Sequence, residues 1–277
     1  MPTAAFALAL SSAFVHALWN LLLARARDSE AATAAALIVG TLAFAPVAAL
    51  TWDIDSGALP YLAASATLEI AYFALLAAAY ERGELSLVYP VARGSAPVLV
   101  AIFSVVLLGT ALHALTVAGV LLVAAGVLLV RGVRPLQTGD NLALAFAVGA
   151  TVAAYTLFDK AGLRHAQAFT YLELVVLPSA VAYPLWIARR KGPAAIRAEA
   201  GRSTAVAGIA MFGAFGLALA AIRLAPQPFI PGVQALRETS VVIAVAAGAL
   251  LLRERVESTR IAGALLVVAG VAALALA

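Results

Sequence analysis

A chain of 277 residues that is 64% hydrophobic and only 12% charged, with a mean hydropathy of +1.03, is too apolar for a soluble domain and falls in the polytopic membrane class. The lack of cysteine excludes disulfides, thiol nucleophiles and thiolate metal sites together. The formal charge of +4 and the pI near 9.7 do not mark a nucleic-acid surface, because the basic residues lie in short loops between apolar runs, where they set topology.

A bilayer-crossing helix needs about 20 apolar residues. That rule divides the chain into ten expected spans at 3–24, 30–51, 58–80, 86–108, 114–131, 140–160, 168–188, 203–222, 228–252 and 258–276. The first begins without a basic leader and is read as a retained helix rather than a cleaved signal. Loops are short, the longest running from Arg189 to Arg202, so function is expected inside the bundle. Odd-numbered loops hold 13 Lys and Arg and even-numbered loops hold 3. The positive-inside rule then places odd loops in the cytoplasm and both termini outside.

The halves repeat. At an offset of 144, Arg93 falls on Arg237, Gly119 on Gly263 and Gly126 on Gly270, and VAGVLLVAAGV (117–127) parallels IAGALLVVAGV (261–271). Residues 1–135 and 136–277 are therefore expected to be two five-helix repeats. Because five is odd, the second is inverted with respect to the first, and a site is expected near the midplane between them. The expected fold is an all-α membrane protein of ten helices around a central cavity. Spans five and ten, free of internal charge and carrying glycine every seven residues, look like scaffold.

Polar residues gather in the other spans. In span one His16, Trp19 and Asn20 share a face; each is also the kind of group that links helices. In span three Glu69, Tyr72, Phe73, Leu76 and Tyr80 form a continuous face. Glu69 near its centre either pairs structurally with Arg93 or Arg237, or contacts a substrate or proton.

Span four carries Arg93 well inside an apolar stretch, with Tyr89 four residues before it and Pro90, Gly94 and Pro97 expected to weaken the helix. An isolated charge at that depth costs at least about 2.5 to 3.5 kcal/mol, so it faces a partner or a cavity. In span six Thr151, Tyr155, Phe158 and Asp159 share a face; Tyr155 is the preferred site residue, whereas Asp159 with Lys160 looks like a solvated or interfacial pair. Glu173 near one end of span seven invites an interfacial role, and Phe212 and Phe215 in span eight offer aromatic wall.

Span nine opens with Pro226, Pro228 and Pro231 and then presents Gln234, Arg237 and Glu238. Arg237 and Glu238 diverge by about 100° around the helix, so each needs a partner elsewhere. Arg93 and Arg237 are read as two gates, one per membrane face, each closing on an acid such as Glu69, Glu173 or Glu238.

There is no Walker A loop, no HExxH and no metal-binding cluster, and with three histidines no Ser/His/Asp arrangement. No cofactor, no metal and no catalytic residue is expected, and the chain is not read as an enzyme.

The Trp-Asn pair of span one, the run AYERGELSLVYPVARGSAPVL (79–99) and the glycine-rich last span after RERVES (253–258) resemble the drug/metabolite transporter superfamily, specifically its EamA-type members. The resemblance covers nearly the whole chain. It implies a carrier that works by alternating access, with spans three, four, eight and nine moving around the cavity, and bacterial members that export amino acids and related metabolites. Small multidrug members of the superfamily use a glutamate in their first helix; here span one offers His16 and no acid.

The expected function is export of amino acids, including aromatic ones, across a bacterial inner membrane. The expected cavity offers charges of both signs for a zwitterion (Arg93, Arg237, Glu69, Glu238) and aromatic walls (Trp19, Tyr72, Tyr80, Tyr89, Tyr155). Efflux of drugs, organic cations or other metabolites is the alternative within the class, and a lipid-handling or structural membrane protein the alternative outside it. The expected partners are a small-molecule substrate and the bilayer, with no nucleic acid, and one chain holds both repeats, so a monomer suffices.

Overall fold

The computed structural model describes residues 1–81, 85–131, 139–243, 246 and 257–277, with side chains except at 76, 77, 79–81, 85–90, 131 and 139–142. The described elements are helical: α1 (Thr3–Ala24), α2 (Ser29–Leu50), α3 (Leu59–Glu81), α4 (Leu85–Leu108), α5 (Ala114–Arg131), α6 (Gly139–Gly162), α7 (Ala168–Lys191), a short α8 (Pro193–Glu199), α9 (Arg202–Leu224), α10 (Ile230–Glu238) and α11 (Ser258–Leu276). Among the described residues eight helices are long and apolar enough to cross a membrane, and Ala114–Val130 is a shorter apolar one. The ninth expected span, 228–252, is described only as far as Ile243 and at residue 246.

Local chemistry fixes several boundaries. Asp28 caps α2, its Oδ1 accepting from the N–H groups of Glu30 and Ala31 at 3.1 Å each. The Lys191 ammonium, aided by those N–H groups and opposed by partial burial, holds the Asp28 carboxyl below its usual range. Gly109 ends α4 with φ at 62°, a conformation that suits glycine. Pro228 and Pro231 occupy first-turn positions, where a missing N–H does no harm: a short 3₁₀ turn at Gln227–Phe229 leads into α10. The chain turns at Thr239 and is helical again at residues 240–243.

One expectation about α4 is corrected. The helix runs unbroken from Leu85 to Leu108 through Pro90, Gly94 and Pro97. Gly94 serves packing, since a Cβ there would lie 2.9 Å from the Leu128 side chain of α5.

Helices of one half pack mainly on helices of the other. The closest associations are α5 with α11, α1 with α9, α4 and α3 with α6, and α2 with α9 and α7. Matched by order within each half, with the short α8 left out, the α1–α9 contact corresponds to α3–α6, the α2–α9 contact to α3–α7, and the α1–α10 contact to α4–α6. Each contact thus has its counterpart.

Glycines set the tightest approaches. In α5 and α11 a Cβ on Gly126 would come 2.6 Å from the Gly263 carbonyl oxygen, and one on Gly263 would come 2.7 Å from the Gly126 oxygen. Between α2 and α9 a Cβ on Gly208 would lie 2.3 Å from the Ala36 oxygen. The α3–α7 contact is looser and leaves a groove of about 360 Å³, lined chiefly by Ile70, Phe73, Ser179, Tyr183 and Trp186.

Candidate functional site

The best-connected polar cluster joins α1, α4 and α10. Glu238 is fully buried, and its Oε2 lies 2.8 Å from Nε of Arg93, itself only 6% exposed. Nη2 of Arg93 is 3.3 Å from Nε2 of His16. A guanidinium has only donors, so Nε2 accepts and the His16 proton resides on Nδ1. On α10, Nε2 of Gln234 donates to Oε1 of Glu238 at 3.1 Å, and Oε1 of Gln234 accepts from Nη1 of Arg237 at 3.2 Å. The i, i+3 and i, i+4 spacings on one helix make both bonds possible. The result is a continuous chain from His16 through Arg93, Glu238 and Gln234 to Arg237. A buried ion pair of this kind is costly to break, about 3 to 5 kcal/mol when one partner is removed, because the other charge is left stranded.

Arg237 is in a different position. It is 6% exposed, yet its Nε has no hydrogen-bond partner and no carboxylate pairs with it among the described residues. Its guanidinium carbon lies 5.8 Å from the centre of the Phe215 ring of α9. Trp19 and His16 gather round the same ring, at 6.5 and 6.3 Å between centroids, and meet each other edge to face at 4.8 Å. The Trp19 indole N–H is buried without an acceptor among the described residues. Asn20 turns back onto its own helix and donates to the His16 carbonyl at 2.8 Å.

Glu69 and Tyr155 complete the site from α3 and α6. Glu69 has neither a hydrogen bond nor an ion pair with any described residue, and it interacts electrostatically with Asp159 and Arg237. Tyr155 senses Arg237, Glu69, Arg93 and Asp159. Both are partly buried, as are Trp19, Asn20 and Phe215.

A second buried cluster corrects the reading of Asp159. This residue is 6% exposed and accepts from the Ser65 hydroxyl at 2.6 Å, while Tyr171 lies within 3.3 Å of the same hydroxyl. Lys160 does not pair with it. The Lys160 ammonium turns away and donates to the carbonyls of Ile222, Arg223 and Ala225 at 2.9, 3.1 and 2.6 Å, satisfying the C-terminal end of α9. Adjacent residues on a helix point about 100° apart, which is why neighbours in sequence part here. Ser65 and Tyr171 were not foreseen. Ser65 shares the Glu69 face of α3 at i, i+4, which was a readable signal; nothing local to Tyr171 announces its role.

The expected residues separate into groups. His16, Trp19, Arg93, Phe215, Gln234, Arg237 and Glu238 converge, with Asn20 beside them and Glu69 and Tyr155 within electrostatic reach. Tyr72 packs on a small core of Val91, Ala92 and Leu144, and meets Phe73 edge to face at 5.4 Å. The side chains of Tyr80 and Tyr89 lie outside the described residues. Phe212 is fully buried core against Gly40, and Phe158 is 40% exposed.

Arg93 pairs with Glu238, one of the acids expected for it, and through Glu238 and Gln234 it shares one network with Arg237, because α4 and α10 pack together. Arg237 pairs with no carboxylate among the described residues. Glu173 keeps both carboxylate oxygens buried without a partner among the described residues, which does not suit a solvated interfacial role. Among the described residues no group of three or more His, Asp or Glu is placed to hold a metal.

Comparison with known proteins agrees with this architecture. A solved crystal structure matches over 99% of this chain and 96% of its own length, with a TM-score of 0.73 and 16% identity, a level that speaks to fold alone. No curated protein matches the sequence. The model of the EamA-like transporter family matches twice, over residues 3–132 and 141–276, and so spans nearly the whole chain. The chain therefore belongs to the EamA-like transporter family, within the drug/metabolite transporter superfamily, and is a multi-pass membrane transporter.

Proposed function

We propose that this transporter is a secondary carrier that exports amino acids, including aromatic ones, by alternating access through the space between two inverted five-helix repeats. The observation that carries the reading is the grouping of buried Arg237 with Trp19 and Phe215, with Glu69 and Tyr155 in electrostatic contact, which combines both charge signs with aromatic rings. Such a site suits a small zwitterion with an apolar side chain. The Arg93–Glu238–His16 chain ties α4 to α10 and α1, and it is the contact that must yield when the carrier reopens. The loop charge bias favours odd loops in the cytoplasm and both termini outside, and the family resemblance suggests a bacterial inner membrane.

Efflux of apolar or cationic drugs is the second reading. The α3–α7 groove favours it, since a cleft walled by Phe73, Tyr183 and Trp186 suits a solute arriving from the bilayer. The deciding experiment is counterflow in proteoliposomes with a radiolabelled panel of amino acids and organic cations. Saturable exchange of amino acids supports the first reading; exchange of organic cations alone replaces it with the second.

A further inference from the structure

We propose that Arg237 and the Trp19 indole form a carboxylate-binding subsite, which takes the acid end of the carried solute. The assignment rests on the carrier reading above for the location of the ligand, and it adds which residues meet the carboxylate.

The argument begins with unused donors. A guanidinium offers five N–H donors and no acceptor, and an indole offers one donor and no acceptor. Arg237 uses Nη1 on the Gln234 carbonyl oxygen, while its Nε and the Trp19 Nε1 are buried without acceptors among the described residues. Arg237 is 6% exposed and its guanidinium lies over Phe215, so water does not replace the missing acceptor freely. A buried charge without an anion is expensive, and an unsatisfied buried donor adds to that cost. Both groups border Phe215, and what they jointly lack is an acceptor.

Arg93 provides the contrast. It is equally buried, and its Nε makes no hydrogen bond of good geometry either, but the Glu238 carboxylate neutralises it at 2.8 Å and His16 accepts from its Nη2. Of the two counterpart arginines only Arg237 is left with charge to offer. A carboxylate suits it best, because two parallel bonds to the guanidinium fork satisfy both partners. A phosphate dianion asks for more positive charge than one arginine supplies. Arg93 and Glu238 already answer each other and take no part in this subsite.

The test is binding to the purified full chain in detergent, by calorimetry, with four ligands of one shape: L-phenylalanine, its amide, 3-phenylpropionate and phenethylamine. Native protein is expected to bind L-phenylalanine about 100-fold more tightly than its amide, since the bonds to a charged group are lost. Arg237→Gln is expected to lose affinity for L-phenylalanine and 3-phenylpropionate about 100-fold while leaving phenethylamine unchanged. Arg237→Lys, which keeps the charge without the fork, should recover part of it.

Equal affinity of native protein for L-phenylalanine and its amide overturns the subsite without any variant being needed. So does an Arg237→Gln protein that binds 3-phenylpropionate normally, or a native protein that binds neither acid. Tight binding of 3-phenylpropionate together with no amino-acid counterflow keeps the carboxylate subsite and ends the amino-acid reading instead.

Discussion

The α2–α9 and α3–α7 contacts occupy corresponding places in the two halves, but one is sealed and the other open. The seal comes from Gly40 and Gly208, which let α2 and α9 touch backbone to side chain and backbone to backbone, with Phe212 filling the remaining space. The α3–α7 side has Phe73 and Tyr183 at 5.5 Å and Tyr183 against Trp186 at 5.7 Å, rings too large for such an approach. A repeated architecture therefore need not be symmetric in detail. Small residues hold one contact shut, and bulky ones keep its counterpart adjustable.

The largest effect expected from breaking this difference is at the seal. Gly208→Leu should destabilise the protein by about 3 kcal/mol or more, because the added Cβ meets a carbonyl oxygen that belongs to backbone and cannot rotate away. Thermal unfolding in detergent measures it, and a native-like melting temperature would show that α2 and α9 are not locked.

On the open side the test is immobilisation. The chain has no cysteine, so Ala74→Cys combined with Ala182→Cys introduces two addressable thiols in an otherwise silent background. Bridging them with a cleavable reagent should slow transport about tenfold or more if α3 moves against α7, and cleavage should restore it. Unchanged flux after complete bridging would mean that the groove is static.

The smallest effect is at the foot of α2. Asp28 is held below its usual range by Lys191 and two backbone N–H groups, so its contribution is complete above the ordinary aspartate value, about 3.9, and is lost as the pH falls through the lowered one. Asp28→Ala should cost about 1 kcal/mol at neutral pH. The difference in melting temperature between native protein and variant should shrink in acid.

Most of the bundle was legible because a 20-residue apolar run can do little in a bilayer except span it. The short α8 was not foreseen, since seven residues of the Arg189–Arg202 loop carry no comparable signal. Site residues were legible one helix at a time. His16 with Trp19, or Gln234 with either Arg237 or Glu238, share faces that spacing alone predicts. Pairing across the bundle was not: which arginine takes Glu238 depends on how α4 meets α10, more than 140 positions along the chain. The misreading of Asp159 has the same origin. Lys160 beside it offered a partner in one dimension, and the partners in three dimensions were Ser65 and Tyr171.

The Arg93–Glu238 pair has an electrical consequence. A lone charge moved across a membrane exchanges about 2.3 kcal/mol with every 100 mV of potential. Joined at 2.8 Å, the two charges form a short dipole with no net charge, so moving the intact pair does almost no work against the voltage. Parting it, as reopening requires, exposes single charges to the field. The membrane potential therefore acts on this pair only once it opens, so the closed contact is held by packing and pairing and not by the voltage.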